Sequence, residues 1–226
     1  YGGNAAMMHY HATPEDHAVL EQKGFLLVDS GATYMDGTTD ITRTYPLGEL
    51  TEDEKRFYTW TLQSHIDLAK AVWLDYCECK MIDTIAREPL WRHLINYRCG
   101  TGHSVSFVGN VHEGPHALNS RNTTRMRPGM VVTDEPGVYE TDLVGIRIEN
   151  ELVCIHKADN QYGTFLGFEP LTFVPIDTSP ILPGVLDKDE LAWLNDYHRQ
   201  VFAKLAPHLN AEERVWLAEK CASIGC

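Results

Sequence analysis

Acidic side chains stand beside apolar runs in this sequence, where the burial of an unpaired charge would be costly. Asp29 follows the run Phe25-Leu26-Leu27-Val28, and Asp40 begins the next candidate strand after the turn signal Asp36-Gly37. Burying an unpaired carboxylate costs several kcal/mol or shifts its pKa until the group is neutral. These aspartates therefore either face water in a turn or meet a positively charged partner.

Three further residues carry side chains that could share such a partner. Glu135 comes at the end of the segment MVVTD (130–134), after a largely apolar strand, and His103 follows Gly100-Thr101-Gly102, which allows a close backbone approach. Alternation along 145–155 places a charged row on one face and isoleucines on the other. A charged row in a central strand is unusual unless it meets partners. The row consists of Arg147, Glu149 and Glu151.

Each of these residues has an ordinary explanation when it is taken alone, since aspartate forms turns and Glu149 could pair with Arg147. Their repetition at four strand ends favours a shared cation site, because few lysines or arginines lie nearby in the sequence. Four carboxylates and one hydroxide would nearly neutralise two divalent ions, so the group could be buried together. Oxygen-rich ligation with one imidazole suits manganese, iron or cobalt better than structural zinc. Two such ions would activate a bridging water and polarise a carbonyl, which is the chemistry of hydrolysis.

The composition excludes several classes of protein. The chain has 226 residues, of which 43% are hydrophobic, and a formal net charge of −13. Its size and apolar content predict a globular domain with a substantial core. The acidity argues against nucleic acid and anionic membrane surfaces as partners, because both need a basic patch. No apolar run approaches the length of about 18 residues that a membrane-spanning helix requires.

The cysteines favour a reducing, cytoplasmic location. Six cysteines are too few for a disulfide scaffold of this length, and Cys77-Glu78-Cys79 lacks a second pair at zinc-finger spacing. The chain begins at Tyr1 without a charged and apolar leader, so we expect a fragment. That expectation leaves open whether a targeting signal precedes it in the whole protein.

Helix signals begin with the capping box of Thr51 and Glu54. The apolar stripe after this cap predicts a helix that reaches Trp73. A second, shorter helix is expected over 81–86, with a bend at Pro89.

Further capping boxes at Asp187 and Asn210 predict that 187–226 forms a C-terminal helical tail.

Strand signals lie between these helices. The glycine- and histidine-rich segment 99–116 has no helical period, so we expect a loop there. A mixed antiparallel order predicts an α+β fold rather than a doubly wound sheet. Strands are predicted as a hairpin over 24–46 and as single strands over 130–133, 145–155 and 165–175.

With these residues in place, the sequence resembles the metal-dependent aminopeptidase P family, within the group that includes prolidase and methionine aminopeptidase. The spacing of 11 between Asp29 and Asp40, and of 14 between Glu135 and Glu149, agrees with the family pattern. The tail at 165–198 resembles the aminopeptidase P branch rather than prolidase. The most specific pieces are LVDSGATYMDGTTDITRT (27–44), GTGH (100–103), NVHEGP (110–115), DEPGVY (134–139) and GIRIEN (145–150).

The resemblance implies a pita-bread fold, in which two pseudo-symmetric α+β halves surround a dinuclear metal site. It implies an enzyme that hydrolyses the N-terminal Xaa-Pro bond with a hydroxide bridging two divalent metals. Manganese is the expected metal, with zinc and cobalt as alternatives. A peptide with proline at its second position would be the substrate, and the full-length protein would be a homodimer.

The same resemblance implies a role for each site residue. Asp29 would bind one metal, Asp40 and Glu149 would bridge, and His103 and Glu135 would complete the second metal. Glu135 would also act as the general base.

Four more residues match positions around the family's metals. His112 would hydrogen-bond the substrate near the scissile carbonyl, and His9 would help to steady the tetrahedral intermediate. Arg147 and Tyr139 would belong to a supporting network that fixes ligand orientation.

Departures from the family pattern affect the substrate pocket and the domain organisation. Cys99 stands where many relatives carry histidine, so the pocket for the proline ring could differ. Ser104 and Ser106 replace glycines that often follow the ligand histidine. Residues 1–226 would form the catalytic domain without its opening helices and without the N-terminal domain of full-length relatives. The alternatives to aminopeptidase P are a prolidase, which cleaves dipeptides only, and a metal-free binding scaffold.

Overall fold

A long hairpin carries two of the predicted ligands. The computed structural model describes residues 1–225, and in it strand β1 (Phe25–Tyr34) pairs antiparallel with β2 (Gly37–Pro46). The predicted hairpin is confirmed. The expectation that Asp29 ends one strand and Asp40 begins the next is wrong, because Asp29 pairs with Thr42 and Asp40 with Gly31 in mid-ladder. A strand ends where backbone pairing ends, and here the pairing continues beyond the apolar run to the turn.

The first two helices pack against each other beside this hairpin. Helix α1 (Glu52–Ala69) begins at the predicted Thr51 cap, but it ends before the stripe residues Val72 and Trp73. Those residues form strand β3 (Val72–Leu74), because they pair with a later strand of the central sheet. Helix α2 (Cys79–Trp91) continues through Pro89 instead of ending at residue 86, and the Arg92 amide closes its last turn on the Glu88 carbonyl.

The segment predicted as one strand over 145–155 is two strands. Strand β7 (Gly137–Glu140) pairs with β8 (Val144–Arg147), whereas β9 (Asn150–Asn160) pairs with β6 (Val131–Asp134). The chain changes partner at Ile148 and Glu149, so simple alternation does not hold across the break. Both the isoleucines and the charged residues from Ile146 to Glu149 are buried.

The central sheet has four antiparallel strands in the order β3-β10-β9-β6, where β10 is Gly163–Pro170. Strand β10 ends at Pro170, before the expected limit at residue 175; Leu171 still donates to the Glu151 carbonyl of β9, and the residues after it form no strand. Within the expected loop 99–116, the short strand β4 (Gly102–His103) pairs with β5 (Ala117–Leu118). Ser104 bridges to Val132, which attaches this segment to the edge strand β6.

Two C-terminal helices complete the fold. Helix α3 (Lys188–Leu205) begins at the Asp187 cap and α4 (Ala211–Lys220) at the Asn210 cap, as predicted. Leu194 and Val201 of α3 share one apolar core with Phe25 of β1 and with Ile146 of β8. The α+β class is therefore confirmed, whereas the division into a catalytic domain and a helical tail stays a prediction. Among the described residues, no helix combines the length and apolarity needed to cross a membrane.

Candidate metal centre

A cleft of about 560 Å³ opens between the β1–β2 hairpin and the segments that follow β4, β6 and β8. Most of the predicted site residues line it, although they come from five separate parts of the chain. Tyr139 is the one that lies behind its wall. The predicted residues on the cleft wall are His9, Asp29, Asp40, His103, His112, Glu135, Arg147 and Glu149.

Three of these residues converge at the floor of the cleft. Asp40, His103 and Glu149 each offer one ligand atom, and these atoms all lie within 4.8 Å of one another. The Glu149 side chain is only 1% exposed. Its Oε2 accepts a hydrogen bond of 2.6 Å from Thr42, whereas its Oε1 has no hydrogen-bond partner among the described residues.

Glu135 lies beside this group and is held from two sides. Its Oε1 accepts a hydrogen bond of 2.9 Å from Thr133 and lies 3.1 Å from His103 Nε2. Its backbone amide donates to the Thr101 carbonyl, which ties the turn after β6 to the segment before β4. Glu135 and His103 are therefore neighbours, as a shared site requires.

Asp29 lies in the same cleft but forms an ion pair with the side chain of Arg147. Arg147 Nη2 donates to Asp29 Oδ2 over 2.7 Å, and Arg147 Nη1 donates to the Tyr139 hydroxyl over 3.0 Å. Arg147 is buried, whereas about two fifths (43%) of the Asp29 side chain is exposed. The predicted supporting network of Arg147 and Tyr139 thus reaches one predicted ligand directly.

Two histidines face the open side of the cleft. The His112 ring meets the His103 ring edge to face, with centroids 4.0 Å apart. His9 reaches the wall from the segment that follows the short 3₁₀ helix Gly2–Ala6. Both histidines are exposed, so their ring nitrogens can reach a molecule bound in the cleft.

Burial and mutual repulsion raise the pKa values of two carboxyl groups in the cleft. Burial and the nearby Asp29 charge raise the pKa of Asp40 to about 6. Burial, followed by the charges of Glu135 and Asp40, raises the pKa of Glu149 well above its ordinary value. A group of carboxylates in this state is stabilised by a cation, because a bound cation removes the repulsion that favours the protonated forms.

The pKa values of His103 and His112 shift in opposite directions. Burial alone would lower the pKa of His103, but its hydrogen bond to Glu135 and the Glu135 charge outweigh burial and raise it. Partial burial and the neighbouring His103 lower the pKa of His112. A neutral His112 ring has both a donor and an acceptor nitrogen for a substrate.

Comparison with known families places this geometry in context. The model of metallopeptidase family M24 matches residues 1–156 of the 226. The chain belongs to metallopeptidase family M24. The model for the C-terminal region of the M24 peptidases matches residues 164–224.

Individual relatives agree with the M24 assignment. A probable Xaa-Pro aminopeptidase P of Laccaria bicolor is 40% identical over 231 residues, covering 99% of this chain and 36% of the relative. The crystal structure of X-prolyl aminopeptidase from Caenorhabditis elegans, described as a cytosolic enzyme with a di-nuclear active site, superposes with a TM-score of 0.93. It is 37% identical, over 99% of this chain and 37% of that one.

A prolidase from Pyrococcus furiosus gives a weaker match. Its TM-score is 0.65 at 28% identity, over 76% of this chain and 47% of that one. The fold of this M24 chain is the pita-bread fold. The chain spans little more than a third of the length of the aminopeptidase relatives that it matches.

The donor set of this M24 chain fits divalent metal ions. The buried Oε1 of Glu149 lacks a partner among the described residues, so an ion beside it would satisfy an otherwise costly acceptor. Carboxylate oxygens with one imidazole are the ligands that manganese and similar ions accept. The residues present therefore suit the metals that the family's name implies.

Three residues that depart from the family pattern lie away from the wall of this cleft. Cys99 does not line this cleft. It lines a second cleft on the side of Arg87 and Tyr97, and its effect on a pocket for the proline ring stays a prediction. Ser104 and Ser106 are buried and also lie outside the wall of the cleft that contains the predicted ligands.

Sequence reasoning missed two threonines that contact the glutamates. Thr42 bonds Glu149, and Thr133 bonds Glu135. The available signal was their spacing, since each lies two residues from a predicted ligand: Thr42 follows Asp40 in β2, and Thr133 precedes Glu135 at the end of β6.

Proposed function

We propose that this chain is the catalytic part of an Xaa-Pro aminopeptidase, which removes the N-terminal residue from peptides with proline at the second position. The observation that carries the proposal is the convergence of Asp40, His103 and Glu149 within 4.8 Å in a chain of the M24 family. The probable Xaa-Pro aminopeptidase P of Laccaria bicolor is 40% identical over 99% of this chain, whereas the prolidase is 28% identical over 76% of it, which favours this substrate class.

The metal site would use the five predicted ligands. Two divalent ions would be held by Asp29, Asp40, His103, Glu135 and Glu149. Bound there, the ions would supply Lewis acidity for the scissile carbonyl and lower the pKa of the attacking water. We propose manganese, because oxygen-rich ligation with a single imidazole suits it better than it suits zinc, and cobalt is the next candidate.

The side chains of this chain would then perform the proton transfers and hold the substrate. Glu135, which borders the cleft, would accept the proton of the attacking water. His112 and His9 would donate hydrogen bonds to the carbonyl oxygen as negative charge develops on it. Arg147 and Tyr139 would keep Asp29 and Glu135 oriented.

Proline explains why a dedicated enzyme is needed. An Xaa-Pro bond has no amide N–H, so peptidases that hold the substrate through that donor bind it poorly. A metal-activated attack in an open cleft does not need that donor.

A related enzyme supports a cytoplasmic location, since the similar enzyme of Caenorhabditis elegans is described as cytosolic. We also propose a homodimer for the full-length protein, which sedimentation equilibrium would test.

A peptide panel tests the proposed function. The full-length protein, loaded with Mn²⁺, is assayed on Xaa-Pro-Xaa tripeptides, on Xaa-Pro dipeptides and on matched Xaa-Ala-Xaa tripeptides. We expect cleavage of the proline tripeptides with little turnover of the alanine series. Cleavage of dipeptides alone would identify a prolidase, and absence of both turnover and bound metal would identify a binding scaffold.

A further inference from the structure

Thr42 stands between a buried cation and a buried anion. Its hydroxyl accepts a hydrogen bond of 3.0 Å from Arg147 Nε and donates one of 2.6 Å to Glu149 Oε2. With Glu149 ionised, as it would be beside a bound cation, the direction is fixed, because a guanidinium has no acceptor, a carboxylate has no donor and a hydroxyl has a single proton. Thr42 is fully buried, so water cannot readily replace either bond.

This arrangement keeps Arg147 from forming a direct ion pair with Glu149. The other two nitrogens of the guanidinium donate to Tyr139 and Asp29. A direct pair, often two parallel bonds, would occupy both oxygens of the carboxylate and reduce its attraction for a cation. With the hydroxyl in place, Glu149 has one oxygen fixed and one buried oxygen without a partner among the described residues.

Thr133 makes the corresponding contacts at the other glutamate. Its hydroxyl donates to Glu135 Oε1 over 2.9 Å and accepts from the His103 backbone amide over 3.0 Å. It too is fully buried. Two predicted ligands, Glu135 and His103, are therefore fixed by one hydroxyl.

We propose that Thr42 and Thr133 are positioning residues that determine which oxygen of Glu149 and of Glu135 faces the bound ions. The inference rests on the metal centre of the proposed function. Partners of metal ligands fix ligand orientation, and their loss typically weakens metal binding about 10- to 100-fold.

The test compares three variants of the full-length protein by calorimetric titration of the metal-free form with Mn²⁺. Thr42→Val removes both hydrogen bonds and keeps the shape, and Thr42→Ser restores the hydroxyl. Thr44→Val is the matched control, because Thr44 is equally buried on the same strand. Its hydroxyl bonds only the backbone of Arg147, through the carbonyl at 2.8 Å and the amide at 3.1 Å.

We expect Thr42→Val to weaken Mn²⁺ binding about 10- to 100-fold, Thr42→Ser to bind as wild type does, and Thr44→Val to bind normally despite a similar loss of thermal stability. Equal affinities for Thr42→Val and Thr44→Val would overturn the inference. If Thr42→Val does not fold, Thr133→Val with Thr133→Ser rescue decides in the same way. A wild-type protein that binds no Mn²⁺ would overturn the proposed function and this inference with it, which separates the two failures.

Discussion

Arg147 Nη2 lies 2.7 Å from Asp29 Oδ2, joining β8 to the middle of β1 across 118 positions of the chain. Asp29 is therefore paired with the guanidinium of Arg147. The three converging ligands make no direct ion pair with that guanidinium; they are Asp40, His103 and Glu149. The predicted ligands thus occupy two environments. An ion bound by the group would face carboxylates that Arg147 does not contact directly, whereas an ion bound by Asp29 would share that carboxylate with Arg147.

We expect unequal affinities for two ions, and we expect Asp29→Asn to lose the weaker one. The amide keeps an oxygen for Arg147 but lacks the charge that attracts a second divalent ion. Titration of the metal-free protein with Mn²⁺ measures the number of ions bound per chain. Asp36→Asn in the exposed turn between β1 and β2 is the control for loss of an acidic group. Retention of two ions with wild-type affinity in Asp29→Asn would contradict the prediction.

Replacement of Glu149 by glutamine should separate stability from metal binding. The ionised carboxylate is buried among like charges, so in the absence of metal the neutral amide should be at least as stable as wild type. Saturating Mn²⁺ at 100 times its Kd stabilises wild type by about 2.7 kcal/mol per ion, and the variant should lose most of that gain. Thermal unfolding with and without Mn²⁺ measures both effects, with Glu140→Gln on the surface as the control. A variant that Mn²⁺ stabilises as much as wild type would exclude Glu149 as a ligand.

His112→Ala should retain its metals and lose turnover. The ring lies against His103 and faces the cleft, but it is outside the group of converging ligands. Loss of one hydrogen-bond donor to a developing oxyanion costs about 10²- to 10³-fold in kcat. Metal analysis and steady-state kinetics on an Xaa-Pro-Xaa peptide measure the two properties. His156→Ala, an exposed histidine on β9, is the control; normal kcat in His112→Ala would remove it from the mechanism.

His198 should make the stability of the fold depend on pH. It is fully buried in α3, where its Nε2 accepts from the Ile176 amide over 3.1 Å. Burial and the charge of Arg43 lower its pKa from 6.5 to about 4, with Asp177 opposing. Between these values the unfolded chain binds a proton that the folded chain excludes, so this contribution is complete above pH 6.5 and is lost as the pH falls towards 4.

The corresponding measurement is the free energy of unfolding of wild type and His198→Gln from pH 4 to pH 7. Glutamine can still accept the Ile176 hydrogen bond through its side-chain oxygen, but it does not titrate. We expect the difference between the two proteins to change by about 3 kcal/mol in favour of wild type as the pH rises. Parallel pH profiles would show that His198 has the same pKa in the folded and the unfolded protein, which would contradict the prediction.

The sequence alone determined which types of side chain could bind a metal and much of the secondary structure around them. Paired strands around Asp36-Gly37 and the helix starts at Thr51, Asp187 and Asn210 follow from turn and capping chemistry. These signals are local, because the residues that make a turn or a cap lie within four positions of each other. The carboxylates beside apolar runs also indicated a shared cation site, since burial alone would be too costly for each of them.

Only the tertiary structure decided which side chains meet. The partner change at Ile148 and Glu149 breaks a segment that alternation predicted as one strand. The contacts of Thr42 with Glu149 and of Arg147 with Asp29 join residues more than 100 positions apart. Periodicity reports which face of an element a residue occupies, but it carries no information on which distant element covers that face. That choice follows from the packing of the whole core, which brings these separate segments to one cleft.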